Sequence, residues 1–168
     1  MNERFGILHL SDIHASEKSK VTIQRLVGLL KADILTMQER HNVSIKMICI
    51  SGDLINSGDE ADVQLDIILE ELLQPLMDLL NLDEKSIFVV AGNHEIKRKM
   101  VVPFIEAGLS STLISETAID EFISTVNTDS LKRIEYFDPT FADMFGGDPV
   151  WKNPLGRAYM VTTDSLKI

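Results

Sequence analysis

Three short polar clusters contain the side chains of this chain that could do chemistry together. They are Asp12-Ile13-His14, Gly52-Asp53 within the segment 51–58, and Gly92-Asn93-His94-Glu95. Asp12 and His14 can turn toward one metal ion, and Asp53 can bridge two ions through its two carboxylate oxygens. Asn93 offers a neutral carbonyl oxygen. A mixed set of oxygen and imidazole ligands favours Mn, Fe or Zn over Ca or Mg.

Each cluster by itself has an ordinary explanation. A polar pair on a loop is usually solvated surface, and a Gly-Asp pair after a strand is usually a turn. The combination favours a metal site, because all three clusters directly follow strand-like runs. Two divalent ions roughly 3.5–4 Å apart can hold a bridging hydroxide and clamp a phosphoryl group for in-line attack.

The elements that must position these clusters are strands of a parallel sheet. Phe5 to Leu10, Ile45 to Ile50 and Ile87 to Ala91 are continuous apolar runs of strand length, typical of strands buried on both faces. Amphipathic helices are predicted between them, from about Lys20 to Arg40 and from about Asp59 to Leu80, with Pro75 kinking or splitting the second. This alternation predicts an α/β fold in which the clusters converge outside the carboxyl ends of the strands.

The second half of the chain is less regular. The predictions there are a mixed stretch over 96–114 with Pro103 and Gly108 as breakers, a helix capped by Ser115 and running to about Val126, a loop over 138–156, and a fourth strand from Arg157 to Thr163 followed by Asp164-Ser165.

Composition narrows the class of protein. The 168 residues are 45% hydrophobic and 25% charged, which is ordinary for a globular domain with a core. The net charge of -10 repels nucleic acid unless a basic patch or bound metal reverses the local field, which counts against a nuclease. The lone Cys49 excludes an internal disulfide. Without a signal peptide or a membrane-spanning stretch, we expect a cytoplasmic protein with no membrane partner.

The three clusters together resemble the calcineurin-like metallophosphoesterase family, whose pattern reads D-x-H, then G-D-x-x-x-x-G, then G-N-H-[DE]. The matching segments here are Asp12 to His14, Gly52 to Gly58 and Gly92 to Glu95. The resemblance implies a two-sheet sandwich flanked by helices, about half of it present in this chain. It also implies a hydrolase that acts on phosphate esters with two divalent metal ions, manganese before iron or zinc.

The resemblance also assigns roles to residues. Asp12 and His14 would bind the first metal, Asp53 would bridge, and Asn93 would bind the second metal. His94 would act as general acid or charge stabiliser rather than as a ligand. The whole chain, 1–168, would be the N-terminal portion of one domain, with 96–156 a family-variable segment that could select the substrate.

One departure from the family pattern leaves alternatives open. The family completes its site with a further histidine and a Gly-His-x-His motif, whereas no histidine follows His94 here. The chain is a fragment with further C-terminal sequence or domains, or the enzyme is degenerate, or a partner supplies the ligands. We expect the fragment.

The class of phosphoesterase is inferred from two features of protein phosphatases that the motifs lack. The first motif lacks the glycines of Ser/Thr protein phosphatases, and no Asp-Arg-Gly segment follows Asp53. This favours phosphodiesterases, nucleotidases or nucleases, with nucleotides and nucleic acid among the candidate partners. The alternative functions are an inactive binding or scaffold module and the effector domain of a larger regulated protein.

Overall fold

A three-stranded parallel β-sheet is the centre of the structure. The computed structural model describes residues 4–124, 131–137, 145–153, 156–163 and 166–167. Strand β2 (Val43–Ser51) lies between β1 (Arg4–Leu10) and β3 (Ile87–Val90), and both pairings are parallel. All three predicted strands are confirmed to within two residues at each end. The carboxyl ends of the strands therefore meet at one edge of the sheet, as the sequence pattern required.

Helices connect the three strands. Helix α1 (Lys20–His41) joins β1 to β2, and it buries Ile23, Val27 and Ile34, which recur on one face. Helix α2 (Ala61–Ile68), a π-helical turn (Leu69–Leu73) and helix α3 (Gln74–Leu80) join β2 to β3. The predicted interruption is confirmed: the regular α-helix gives way to the π-helical turn after Ile68, and Pro75 stands in the first turn of α3, where its missing N–H needs no partner.

The hydrophobic core reaches into the loops that follow the strands. Besides side chains of α1, β2, α2 and α3, the core contains Ala15 from the loop after β1 and Leu54 and Ile55 from the loop after β2, all 0% exposed. Phe137 and Phe145, from the second half of the chain, pack into the same cluster. Because these loop residues are buried as deeply as the core, the backbone beside the predicted ligands is firmly anchored.

Two helices follow the third strand. Helix α4 (Pro103–Thr112) lies where the sequence was interpreted as a mixed stretch with breakers. Pro103 stands in the first turn, where its missing N–H needs no partner, so it begins the helix instead of breaking it. Helix α5 (Glu116–Ser124) begins after Ser115, whose Oγ accepts the N–H of Ala118 at 3.2 Å, which confirms the predicted cap. The expected end at Val126 lies outside the described residues.

The last part of the chain forms two antiparallel hairpins. Strand β4 (Trp151–Asn153) pairs with β5 (Gly156–Ala158), and β6 (Thr162–Thr163) pairs with β7 (Leu166–Lys167). The prediction of one fourth strand over 157–163 is wrong. The first part of that run belongs to β5 and pairs with β4, and the last part is β6 and pairs with β7. Both pairings join segments that are close in sequence, so the chain entropy lost in closing the loop is small. Strand β4 also falls inside the predicted loop over 138–156. Residues 138–144 and Asp164-Ser165 lie outside the described residues.

The predicted α/β class is confirmed. A parallel sheet with connecting helices is consistent with the fold that the resemblance implied. Within the described ranges, no helix is long and apolar enough to cross a bilayer.

Candidate metal centre

The loops after β1 and β2 lie side by side at the carboxyl edge of the sheet. Their backbones extend the parallel hydrogen-bonding ladder beyond the strands: Asp12 N–H donates to the carbonyl of Gly52 at 3.2 Å, His14 to Asp53 at 3.0 Å and Ala15 to Leu54 at 2.8 Å. Ala15 and Ile55 also form an isolated parallel bridge. The first two predicted motifs are therefore held together by backbone bonds, independently of any metal.

The third motif reaches this pair of loops because two glycines allow a close approach. Gly52 has a φ of +95°, and a Cβ atom there would lie 2.7 Å from the Cα of Gly92. A Cβ atom on Gly92 would overlap Oδ1 of Asp53. The absence of both side chains lets the loop after β3 contact the loop that carries Asp53.

Backbone strain is concentrated at the predicted ligands. Asp12, His14 and Asp53 have φ angles of +56°, +50° and +53°. Elsewhere in the described residues, the non-glycine residues with positive φ are Asn42 and Asn81, which end helices α1 and α3 in the usual left-handed cap. A left-handed conformation costs roughly 1–2 kcal/mol per residue, although Asp and Asn tolerate it best. Strain of this kind clusters at functional sites, where the surrounding structure enforces it.

Three predicted residues come together in one cluster. Ligand atoms of His14, Asp53 and His94 all lie within 4.8 Å of one another. The rings of His14 and His94 meet edge to face, with centroids 4.4 Å apart. Asp12 lies at the margin of the cluster, its Oδ1 4.0 Å from Nε2 of His14 and its side chain 69% exposed. Asn93 directly precedes His94 and is also exposed.

The donor set fits a divalent metal ion. Nδ1 of His14 is buried and has no hydrogen-bond partner among the described residues. Leaving a buried polar atom unpaired costs about 1–3 kcal/mol, so this ring is not placed for hydrogen bonding alone. Imidazole and carboxylate donors converging at this distance suit a transition metal. The site is therefore equipped to hold a metal ion.

The tautomer of His94 follows from its contacts. Its Nδ1 lies 2.9 Å from the backbone carbonyl oxygen of Asn56, and its backbone N–H donates to Oδ1 of Asp53 at 2.9 Å. A carbonyl oxygen can only accept, so Nδ1 carries the proton and Nε2 carries the lone pair of the neutral ring. Nε2 can then either bind a metal or, once protonated, donate a proton, but a single nitrogen cannot do both at once.

A comparison with protein families decides the assignment. The model of the calcineurin-like phosphoesterase family matches residues 5–164, which include all three motifs. The chain belongs to the calcineurin-like phosphoesterase family. The search of curated proteins and the search of solved structures gave no significant match. Family membership together with the cluster of His14, Asp53 and His94 supports a metal-dependent phosphoesterase, whose substrate carries a phosphate ester.

Glu95 ties two of the motifs of this phosphoesterase together. Its carboxylate is fully buried and accepts three backbone N–H groups, from Gly92 at 2.6 Å, Asp53 at 2.9 Å and Ile55 at 3.1 Å. The first lies on the loop after β3, and the other two lie on the loop after β2. Glu95 therefore supports the site by holding the two loops together. The three donors that it holds could not be identified from sequence.

A segment distant in sequence packs behind the third motif of the phosphoesterase. Tyr136 donates its hydroxyl to the backbone carbonyl of Glu95 at 2.6 Å, and Lys97 donates its N–H to the carbonyl of Arg133 at 2.8 Å. The ammonium group of Lys97 also lies 4.2 Å from the centroid of the Tyr136 ring. Burial, followed by the nearby carboxylates, raises the pKa of the Tyr136 hydroxyl, so it stays protonated and donating at physiological pH.

The contacts of Lys97 also change the interpretation of the basic run 97–99. A basic run of this kind is usually a solvated surface patch and less often a site that steers phosphate. Lys97 instead takes part in packing, while Arg98 and Lys99 are exposed. Tyr136 and Arg133 were not among the candidate residues, since nothing local in the sequence connects them with the third motif.

Proposed function

We propose that the chain provides the metal-binding part of a phosphoesterase that hydrolyses phosphomonoesters or phosphodiesters. The observation that carries the proposal is the convergence of His14, Asp53 and His94 within 4.8 Å at the carboxyl edge of the sheet. Asp12 and His14 bind the first metal, Asp53 bridges, and Asn93 binds the second metal. Manganese is the first candidate, with iron and zinc as alternatives.

The chemistry divides between the ions and the chain. Two divalent ions, when bound, supply the nucleophile and neutralise charge on the phosphoryl oxygens. The chain orients the ligands: the N–H of His94 donates to Oδ1 of Asp53, and this bond restricts the rotation of the carboxylate that would hold the ions. The backbone ladder between the first two loops fixes the distance between His14 and Asp53.

His94 assists the leaving group in this proposal. Its Nδ1 is engaged with the Asn56 carbonyl, so a proton for the leaving oxygen is held on Nε2, the remaining ring nitrogen. A histidine suits this role because its ordinary pKa is close to neutral. We assign His94 to acid catalysis or charge stabilisation and not to metal binding, because a protonated ring has no lone pair to offer.

The substrate class follows from charge and motif context. The net charge of -10 disfavours long nucleic acid relative to small phosphate esters and nucleotides. The motifs favour a phosphodiesterase, nucleotidase or nuclease over a protein phosphatase. The variable segment 96–156 selects among these substrates, and the protein acts in the cytoplasm.

The experiment is a metal titration followed by hydrolysis of two chromogenic substrates, p-nitrophenyl phosphate and bis-p-nitrophenyl phosphate. Asp53→Asn is the test variant, because asparagine tolerates the positive φ at this position. Asp66→Asn, at an exposed position of α2, is the matched control. In the full-length protein, we expect manganese-dependent hydrolysis in wild type and control, and a loss of two or more orders of magnitude in Asp53→Asn with unchanged circular dichroism.

Two results would refute the proposal. An active Asp53→Asn variant would show that the metal assignment is wrong. Full-length wild-type protein that takes up no metal and hydrolyses neither ester would support the binding or scaffold module instead.

A further inference from the structure

Gln64 is a buried polar residue outside the three motifs. It lies on α2 and is only 2% exposed; with Glu95 it is one of two fully buried polar or charged residues in the described ranges. Burying an amide requires that its donors and acceptors find partners. The partners of Gln64 lead directly to His94.

The hydrogen bonds of Gln64 fix the orientation of its amide. Its Oε1 accepts the backbone N–H groups of Asn56 at 2.9 Å and Ser57 at 3.0 Å. Its Nε2 donates to Oε2 of Glu60 at 2.9 Å. Only the oxygen can accept two N–H groups, and only the nitrogen can donate to a carboxylate, so the alternative amide orientation is excluded.

The peptide group between Asn56 and Ser57 connects Gln64 with His94. Its N–H, from Ser57, donates to Gln64, and its carbonyl oxygen, from Asn56, faces Nδ1 of His94 at 2.9 Å. In a planar trans peptide the N–H and C=O point in opposite directions. Gln64 and His94 therefore lie on opposite sides of one rigid group, and fixing the N–H also fixes the carbonyl. Hydrogen bonds in series of this kind also polarise one another.

We propose that Gln64 is a positioning residue that sets the tautomer and the ring orientation of His94 through the Asn56–Ser57 peptide. The inference deepens the proposed function and rests on it for its catalytic consequence. The Nδ1-protonated ring presents Nε2 to the cluster, where the proton of the leaving group is needed. Without Gln64, this peptide can rotate and the ring loses its fixed acceptor.

The rest of the loop remains anchored without Gln64. Glu95 accepts the N–H of Ile55, whose side chain is fully buried, and the N–H of Gly58 donates to the carbonyl of His94 at 2.8 Å. The peptide between these two anchors is the part that Gln64 orients. A substitution at position 64 should thus change the peptide and the His94 ring more than the loop as a whole.

The test reads the tautomer of His94 directly, by long-range nitrogen–proton NMR of the metal-free full chain labelled with ¹⁵N-histidine. The spectra are recorded at about pH 8, where imidazole rings are largely neutral. His94→Gln assigns the signals among the four histidines. Wild type must show the proton on Nδ1 of His94; a proton on Nε2 would overturn the proposal before any variant is made.

Gln64→Met removes the amide while keeping a side chain of similar length. Gln74→Met is the matched control, because Gln74 makes the same kind of bond, from Nε2 to Oδ1 of Asp78 at 2.7 Å, on an exposed face of α3. We expect a mixture of both tautomers in Gln64→Met and the wild-type tautomer in Gln74→Met. A wild-type spectrum for Gln64→Met would overturn the proposal.

An exchange of residues separates positioning from simple loop stability. The double variant Gln64→Glu, Glu60→Gln exchanges the two side chains. The carboxylate at 64 can accept the N–H groups of Asn56 and Ser57, and the amide at 60 can donate to that carboxylate. This double variant should restore the Nδ1-protonated ring, and failure to restore it in a folded chain would refute the mechanism.

Kinetics with manganese test the catalytic consequence. Gln64→Met should lower kcat by about 10- to 100-fold with little change in KM, because the substrate contacts remain while the acid is misplaced. The exchange variant should recover kcat. If the tautomers behave as expected but wild type hydrolyses no ester, the proposed function fails and the positioning of His94 by Gln64 stands.

Discussion

Glu95→Gln is the substitution for which the structure gives the sharpest expectation of stability. The carboxylate of Glu95 accepts N–H groups from Gly92 and Asp53 on Oε2 and from Ile55 on Oε1. A glutamine retains one acceptor oxygen, which is best used in the place of Oε2 because two donors meet there. Its NH₂ group then faces the N–H of Ile55, donor against donor.

The expected loss can be estimated bond by bond. Hydrogen bonds to a charged group contribute about 1.5–3 kcal/mol and neutral ones about 0.5–1.5 kcal/mol, so the two retained bonds weaken by about 1 kcal/mol each and the third is lost. Removing a buried charge offsets part of this loss. The net destabilisation should be about 3 kcal/mol, a large share of the roughly 5–15 kcal/mol that stabilises a typical domain. For a chain of this size, the melting temperature should fall by roughly 6–12 °C.

The assay is urea unfolding followed by circular dichroism, with Glu71→Gln as the control. Glu71 also has a partnered carboxylate, which accepts hydrogen bonds from the side chains of Lys20 and Gln24, but those partners lie at the surface. Its substitution should have a much smaller effect, because exposed pairs contribute little. If both variants unfold at the same urea concentration, the proposal that Glu95 holds the two motifs together is refuted.

Two further predictions concern residues around the sheet edge. Tyr136→Phe removes the hydroxyl that donates to the Glu95 carbonyl while keeping the ring, and should lower the free energy of unfolding by about 1 kcal/mol; urea unfolding identical to wild type would contradict this contact. Burial raises the pKa of the Cys49 thiol, so the reactive thiolate is scarcer in the folded chain than in the unfolded one. Iodoacetamide at about pH 8 should therefore alkylate the native chain more slowly than the urea-unfolded chain, with the gap narrowing as the pH rises through the raised pKa; equal rates at the lower pH would contradict it.

The sequence was sufficient to predict the sheet and the place of the site. The strands are buried on both faces, so their apolar runs are continuous and end abruptly at polar residues. Ligand sites form at the carboxyl ends of parallel strands, so the three clusters were predicted to lie together at one edge of the sheet. Asp12, His14, Asp53 and His94 lie within or beside the observed cluster.

The residues that support the site could not be predicted in this way. Gln64 acts on a loop eight residues earlier, and Tyr136 acts on a carbonyl 41 residues earlier, through contacts that exist only in the folded chain. Helix α4 was missed because Pro103 was treated as a breaker, whereas the same residue is favourable in a first turn. The short hairpins near the end were missed because strands of two or three residues have no periodicity to detect.

The close approach of Gly52 and Gly92 limits how the two motifs can diverge in evolution. An added side chain at 52 collides with the backbone of residue 92, and one at 92 collides with Asp53 itself. A second mutation cannot remove the backbone atoms of residue 92, and Asp53 cannot be replaced without losing a proposed ligand. No second substitution can therefore make room for a side chain at either glycine. Gly28 and Gly108 are different, because an added Cβ atom there meets nothing within 4 Å. Lineages that keep the site must inherit both glycines together, so the second and third motifs evolve as one unit although helices α2 and α3 and strand β3 lie between them.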